Sequence, residues 1–414
     1  MKKSALGTVF LVVLIDLMGF GIVLPLIPFY AARFNANAVA IGLLYSVYSF
    51  AQLIFSPIWG RFSDRIGRRP IMLMSTCGAV AAYILFGLSG SLAVLFLSRL
   101  LAGITAGNIS TAQAYVADVT TPEERAKGMG LIGAAFGIGF MAGPALATAL
   151  IHPRFHDWIA SFSFARPFAA WMLENKYAVP GYFAAMMSFI SFLLVLFKLP
   201  EPVKKNASDS ARVLKLSLFS RAFWKSIFEG KGKGGKAILP FLMFAIFLLS
   251  LGQSSLYSAF PLFCKSKLGL SAEKVGLQFA IMGLVAVFVQ GGLIRVLVKR
   301  FDEKKLFVVG TILMVIGLAL IPFAGSQKIL ALDLALMTLG ASLNGPTLTS
   351  LISKEADPAA TGTVMGSSQG LSALGRAVGP TWGGFLFGWS IKLPFLATAA
   401  LVSLAVFVGL KIQE

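Results

Sequence analysis

Only two cysteines and two histidines occur in 414 residues, and their spacing fits neither a disulfide framework nor a metal ligand set. Cys77 and Cys264 fall in or beside apolar runs, so the thiols say nothing about redox compartment. His152 and His156 sit together between two such runs, which excludes a histidine proton relay inside the apolar part of the chain. Charge is also scarce, at 13% of residues, with 17 acidic against 36 basic side chains. No phosphate-cradling glycine loop, nucleophile elbow or metal-ligand pattern is present. Enzyme chemistry is therefore not expected, nor is any cofactor or metal.

What the chain has in abundance is apolar surface. Hydrophobic residues make up 57% of it and the mean hydropathy is +0.82, where a water-soluble globule is nearer ~45–50% apolar. Twelve apolar runs of about 20 residues, each able to cross ~30 Å of hydrocarbon, cover 6–31, 40–60, 70–90, 92–117, 126–151, 177–198, 237–263, 274–298, 305–325, 329–352, 360–387 and 391–411. The first is too long for a cleaved signal and carries Asp16, Pro25 and Pro28, so it is expected to stay as the first helix. The predicted fold class is an all-α integral membrane protein of twelve transmembrane helices.

The excess of basic residues follows the membrane rather than a nucleic acid. With the amino terminus inside, 24 of the 36 lie on the inner side, ten of them between Lys198 and Lys236, and nine lie outside; Arg99, Arg295 and Arg376 fall within spans. This bias predicts both termini in the cytoplasm. A constant shift of 236 residues superposes Asn108 on Asn344, Thr111 on Thr347, Pro122 on Pro358, Gly130 on Gly366, Gly139 on Gly375, Gly143 on Gly379 and Pro144 on Pro380. Such a register indicates two similarly oriented halves. The expected organisation is a six-helix bundle over 1–198, a cytoplasmic linker over 199–236 with a basic amphipathic helix near 214–228, and a second bundle over 237–414.

Four stretches carry a family resemblance. The loop "GRFSDRIGRRP" (60–70) concentrates charge between the second and third helices, with Gly60, Asp64, Arg65, Gly67, Arg68 and Arg69. It resembles the loop signature of the major facilitator superfamily. The run from Ser98 to Pro144 is similar to the fourth and fifth helices of that superfamily's drug:proton antiporters, including a helix-packing motif at Gly133, Gly137, Gly139, Gly143 and Pro144. With "LIDLMGFGIVLPLIP" (14–28) and "KRFDEK" (299–304), the likeness is closest to the tetracycline-exporter branch. The resemblance implies a pseudo-symmetric pair of six-helix bundles working by alternating access.

It also implies roles for particular residues. Asp64 is expected to accept hydrogen bonds at the start of the eleventh helix near Ala360, and Arg68 to pair with Asp118, together forming a latch at the cytoplasmic gate. The simpler reading is a positive-inside anchor, which explains the arginines but not the aspartate. In the second half Lys299 stands where Asp64 would align, so the second latch is degenerate. Charges inside spans cost several kcal/mol unless paired or wetted. Asp16 and Arg99 lie at similar depth and are expected to face one cavity, where burial and a guanidinium act in opposite senses on a carboxyl proton. A static ion pair that fixes packing is the alternative.

Other polar residues in spans, Tyr45, Gln52, Asn108, Gln113, Gln253, Tyr257, Gln290, Asn344, Gln369 and Arg376, are candidates to line a substrate cavity, though such groups also bond between helices. Tetracycline exporters carry acids in the third and ninth helices and a histidine in the eighth, where this chain has Ala82, Met314 and Ala286. These departures argue against a metal–tetracycline substrate. Asp16, Arg99 and Arg376 sum to +1, which favours anionic, zwitterionic or neutral compounds over cations; Arg376 could instead meet backbone carbonyls or Asp333. The aromatic-rich stretch 156–177 is expected to form a short interfacial helix. The overall expectation is a monomeric, proton-coupled exporter of small amphipathic compounds that contacts membrane lipids. A nutrient facilitator or symporter is the rival within transport, and a non-transporting receptor or scaffold the rival outside it.

Overall fold

The computed structural model describes residues 2–202, 238–355 and 361–413. Every regular element among them is helical. Eleven segments are long and apolar enough to cross a bilayer. They are, in order, the first span Ala5–Ala32, the second Ala38–Ile66, the third Arg68–Gly87, the fourth Leu92–Val119, the fifth Leu131–Ile151, the sixth Val179–Lys198, the seventh Ile238–Leu268, the eighth Ala272–Arg300, the ninth Glu303–Phe323, the tenth Gln327–Glu355 and the twelfth Leu393–Leu410. The eleventh span is the 29-residue helix Thr361–Trp389. At ~1.5 Å per residue it is long enough to cross, but its glycines, serines, Gln369 and Arg376 dilute its apolar character. The twelve runs read from the sequence thus reappear with their ends moved by a few residues.

The chain packs as two units, one of 1–210 with 264–287 and the other of 211–263 with 288–414. The stretch 214–228, expected to be a basic amphipathic helix, lies outside the described residues.

Two spans in the first unit are broken, and each break has a chemical cause. The first span is helical over Lys2–Val23 and again over Ile27–Ala32. Pro28 has no N–H to return to the carbonyl of Leu24, and the buried Tyr45 hydroxyl donates to that carbonyl instead, at 2.6 Å. The fourth span is helical over Leu92–Thr105 and Asn108–Val119. At its break, Trp59 Nε1 donates to the carbonyl of Ile104 at 2.5 Å and the Ser75 hydroxyl donates to that of Thr105. Buried carbonyls require such partners in a membrane, where no bulk water can serve.

Glycine sets the closest helix contacts in both units. A Cβ on Gly139 would stand 2.6 Å from the Leu17 Cβ, and one on Gly143 2.7 Å from the Gly21 Cα. The fifth span therefore lies against the first beside Asp16. In the second unit Gly375 and Gly379 bring the eleventh span onto the seventh, where added Cβ atoms would meet the Phe247 carbonyl at 2.6 Å and the Ser254 hydroxyl at 2.1 Å. Ser254 and Ser258 hydroxyls donate across this contact to the carbonyls of Gly375 and Pro380, at 3.1 and 2.7 Å. The same packing, reached by the same 236-residue shift, gives the two six-helix bundles their pseudo-symmetry. Gly133 differs from its expected packing role, since a Cβ there has nothing within 4 Å.

Gly143→Val is expected to lower the stability of the purified protein by about 1–3 kcal/mol through overpacking, whereas Gly133→Ala is expected to leave it unchanged or raise it by up to about 1 kcal/mol. Thermal unfolding in one detergent distinguishes the two positions.

Candidate functional site

The centre of the first unit holds a carboxyl and a guanidinium that do not touch. Asn108, the first residue after the break in the fourth span, directs its Nδ2 donor to Asp16 Oδ2. Asp16 Oδ1 and Asn108 Oδ1 are buried and have no hydrogen-bond partner among the described residues. Arg99 is buried at 2% exposure. Its guanidinium carbon lies 5.0 Å from the Phe86 ring centre and 5.9 Å from that of Tyr83, and its Nε and Nη2 have no hydrogen-bond partner among the described residues.

Tyr83 connects the two groups. A Cβ on Gly19, one helical turn beyond Asp16, would stand 2.9 Å from its hydroxyl oxygen, while its ring is one wall of the Arg99 enclosure. Asp16 and Arg99, expected to face one cavity, thus make different contacts: Asp16 bonds to Asn108, and Arg99 makes a cation–π contact with Tyr83. Glycine at position 19 was the available sequence signal for Tyr83, because a bare helix face one turn from a buried acid leaves room for a ring.

The remaining polar candidates divide by environment. Tyr45 is buried and its hydroxyl meets the Leu24 carbonyl, so it closes the first-span break. Gln52 and Tyr257 are half-buried, and Gln113, Gln253, Gln290, Gln369 and Arg376 are exposed. Asn344 is buried and accepts a hydrogen bond from Thr311 at 3.3 Å. Arg376 Nη1 donates to the Ser372 hydroxyl at 2.7 Å and lies within electrostatic range of Tyr257. Asp333 Oδ2 is buried with no hydrogen-bond partner among the described residues. Gln290 lies in a π-helical turn, Val289–Leu293, an irregularity often found at functional positions and not visible in hydropathy.

The charged loop has its own geometry. Arg68 reaches Asp64 Oδ1 at 2.5 Å, Asp118 Oδ2 at 2.8 Å and the Ser63 hydroxyl at 2.6 Å. A planar guanidinium with several fixed donors suits this triple contact better than an ammonium would. The Arg68–Asp118 pair was expected; the Asp64 contact expected near Ala360 falls outside the described residues. Glu201, which the sequence reading missed, accepts from the backbone N–H groups of Arg68 and Arg69 at 2.7 and 2.9 Å. It caps the start of the third span, where unpaired N–H groups and the helix dipole favour an anion. Gly67 has φ +109°, and a Cβ there would stand 2.7 Å from Glu201 Oε1, so glycine is required for both conformation and space. Gly60 has no comparable constraint, because nothing lies within 4 Å of a Cβ there. Arg65 is exposed, and Arg69 donates to the Leu196 carbonyl at 2.6 Å. The signal for Glu201 was an acid between two prolines directly after a span that ends beside a basic loop.

A model of the Major Facilitator Superfamily matches residues 9–380 and 292–412. The chain belongs to the major facilitator superfamily. It is a multi-pass membrane transporter and not an enzyme. It is 30% identical over 381 residues to the class E tetracycline resistance protein of Escherichia coli, covering 91% of this chain and 86% of that protein. With multidrug resistance protein 2 of Bacillus subtilis it shares 29% over 409 residues, covering 96% and 93%. Among solved structures it is similar to the human organic anion transporter MFSD10, with a TM-score of 0.68, 25% identity and 99% of each chain covered.

Glu201→Ala is expected to cost this superfamily member about 1–2 kcal/mol, the range for loss of a helix cap. Gly67→Ala is expected to be at least as damaging through its positive φ. Thermal unfolding in detergent measures both, and an unchanged midpoint for Glu201→Ala would show that water replaces the cap.

Proposed function

We propose that the chain is a proton-coupled exporter of small amphipathic compounds, working by alternating access with residues 1–198 and 237–414 as its two halves. The observation that carries this reading is the Asp16 carboxyl, placed in a span with Oδ2 bound to Asn108 and Oδ1 buried with no hydrogen-bond partner among the described residues. An amide donor serves a carboxylate and a neutral carboxyl alike, because each offers an accepting oxygen. Asn108 can therefore hold the group through both protonation states while Oδ1 gains and loses the proton. Arg99, across Tyr83, provides a fixed charge against which that change registers.

Support for an export role comes from the relatives named as tetracycline and multidrug resistance proteins. The substrate class follows from charge. In the second unit Arg376 is exposed and positive, with Tyr257 and Ser372 beside it. This favours anionic, zwitterionic or neutral amphipaths, in keeping with the organic anion transporter among the similar structures. The positive-inside bias places both termini in the cytoplasm, and a monomer is the working unit. In the charged loop, Arg68, Asp64 and Asp118 act as the latch of the cytoplasmic gate.

The test is pH-gradient-driven uptake into inside-out proteoliposomes with a panel of anionic, zwitterionic and cationic amphipaths. Asp16→Asn is expected to abolish gradient-driven accumulation while leaving substrate counterflow. Accumulation that persists in Asp16→Asn would assign the chain to a facilitator or a carrier with another coupling residue. Arg376→Ala is expected to raise the KM of anionic substrates about 10-fold, equal to about 1.4 kcal/mol, and to change that of neutral ones less than about twofold. Equal effects on both classes would remove Arg376 from substrate selection.

A further inference from the structure

The segment joining the fifth and sixth spans folds as a hairpin of two short helices, Pro153–Ala160 and Arg166–Glu174, with a tight turn at Ser163–Ala165. One side of it belongs to the protein. His156, Ala169 and Met172 are buried, and His156 Nε2 donates to the carbonyl of Leu150 at 2.8 Å, which fastens the hairpin to the end of the fifth span.

The other side is apolar and uncovered. Phe164 is 86% exposed, Trp158 60% and Phe168 55%, with Phe162, Trp171 and Leu173 exposed beside them. These rings are arranged against one another: Trp158 meets Phe162 with ring centres 5.5 Å apart, and Phe168 stacks on Trp171 at 5.9 Å. Exposed large apolar side chains clustered in this way mark an interaction surface.

Its neighbours identify the occupant. Trp171 packs on Tyr182 at 5.9 Å, and Tyr182 begins the sixth span, whose exposed Met186, Phe189 and Ile190 continue the same apolar surface into the hydrocarbon. The hairpin's aromatic face is thus continuous with the lipid-facing belt. Arg154 and Arg166 stand exposed on the same hairpin, within an element otherwise rich in tryptophan and phenylalanine, the composition of a membrane interface. We propose that residues 153–174 are a lipid-binding hairpin, seated at the boundary of phospholipid headgroups and acyl chains on the membrane face opposite the chain termini.

The test places single cysteines at Trp158, Phe164 and Phe168 in a full-length Cys77→Ser, Cys264→Ala protein. They are spin-labelled in proteoliposomes, and collision with oxygen is compared with collision with a water-soluble nickel chelate. Position 189 serves as the hydrocarbon reference and position 302 as the water reference. The expected result is oxygen-to-nickel ratios at 158, 164 and 168 between the two references, at least about fivefold above position 302. Ratios equal to those at 302 would overturn the proposal by showing a water-exposed patch. Labels shielded from both reagents, with spin–spin broadening between copies, would overturn it in favour of a self-association surface. In the protein with its native cysteines, lipids brominated near the headgroup are expected to quench tryptophan fluorescence measurably less in Trp158→Phe/Trp171→Phe than in wild type. Equal quenching would count against the proposal even if the labelled variants fail to fold.

Discussion

A carboxyl group in the middle of a membrane span is held in place by one amide, and much of the first unit is built to deliver that amide. Asn108 reaches Asp16 because the fourth span stops being helical at Ala106–Gly107 and restarts with Asn108 in its first turn. The break exposes backbone carbonyls, and Trp59 and Ser75 cover them from the second and third spans. Gly139 and Gly143 then let the fifth span close over the first at Leu17–Gly21. The acid is thus fixed by hydrogen bonding on one side and by backbone contact on the other. Loss of any of these supports would leave a polar group in hydrocarbon without its partner, at a cost of several kcal/mol.

The pseudo-symmetry makes the asymmetry of charge informative. Helix contacts repeat between the halves, with Gly139 and Gly143 matched by Gly375 and Gly379, and Asn108 matched by Asn344. The ionisable groups inside the spans do not repeat. Asp16 corresponds to Gly252 and Arg99 to Ala335, while Arg376 corresponds to Phe140. Asn344, lacking an acid to hold, accepts a hydrogen bond from Thr311 instead. The scaffold therefore occurs twice and the chemistry once. A buried acid, a separate enclosed arginine and an exposed arginine occupy positions that packing alone would have filled with apolar side chains, and this division carries the functional reading.

Most of the architecture was legible in the sequence because a membrane imposes length and hydropathy on each span. The twelve runs and the repeat register follow from local composition or a fixed spacing, and the Arg68–Asp118 pair from the family resemblance. Contacts set by three-dimensional direction were less legible. Asp16 and Arg99 share a depth, yet depth does not specify azimuth, and Tyr83 stands between them. Tyr45 looked like a cavity residue because polarity within a span was the only signal. Its task, completing a carbonyl that Pro28 leaves open, depends on which face of the second span meets the first. Glu201 was hidden for a similar reason, since its partners are backbone N–H groups 132 and 133 residues earlier, which no side-chain pattern reveals.

The departures from the tetracycline-exporter pattern gain a physical meaning from burial. Ala82 is fully buried, and Met314 is 1% exposed, its Cε standing 3.2 Å from where a Cβ on Gly252 would lie. Both positions are packed core rather than surface facing a passage. An acid introduced there would lack both solvent and a partner, so these sites are not spaces from which a carboxylate has merely been removed. Among the candidate polar groups of the second unit, Gln253, Gln290, Gln369 and Arg376 are exposed. Of these only Arg376 bears a charge, and it is positive. Under the proposed function, a substrate that meets Arg376 gains most from a group that accepts hydrogen bonds or carries negative charge. That is the physical basis on which the proposed substrate class, an amphipathic anion, zwitterion or neutral acceptor, rests.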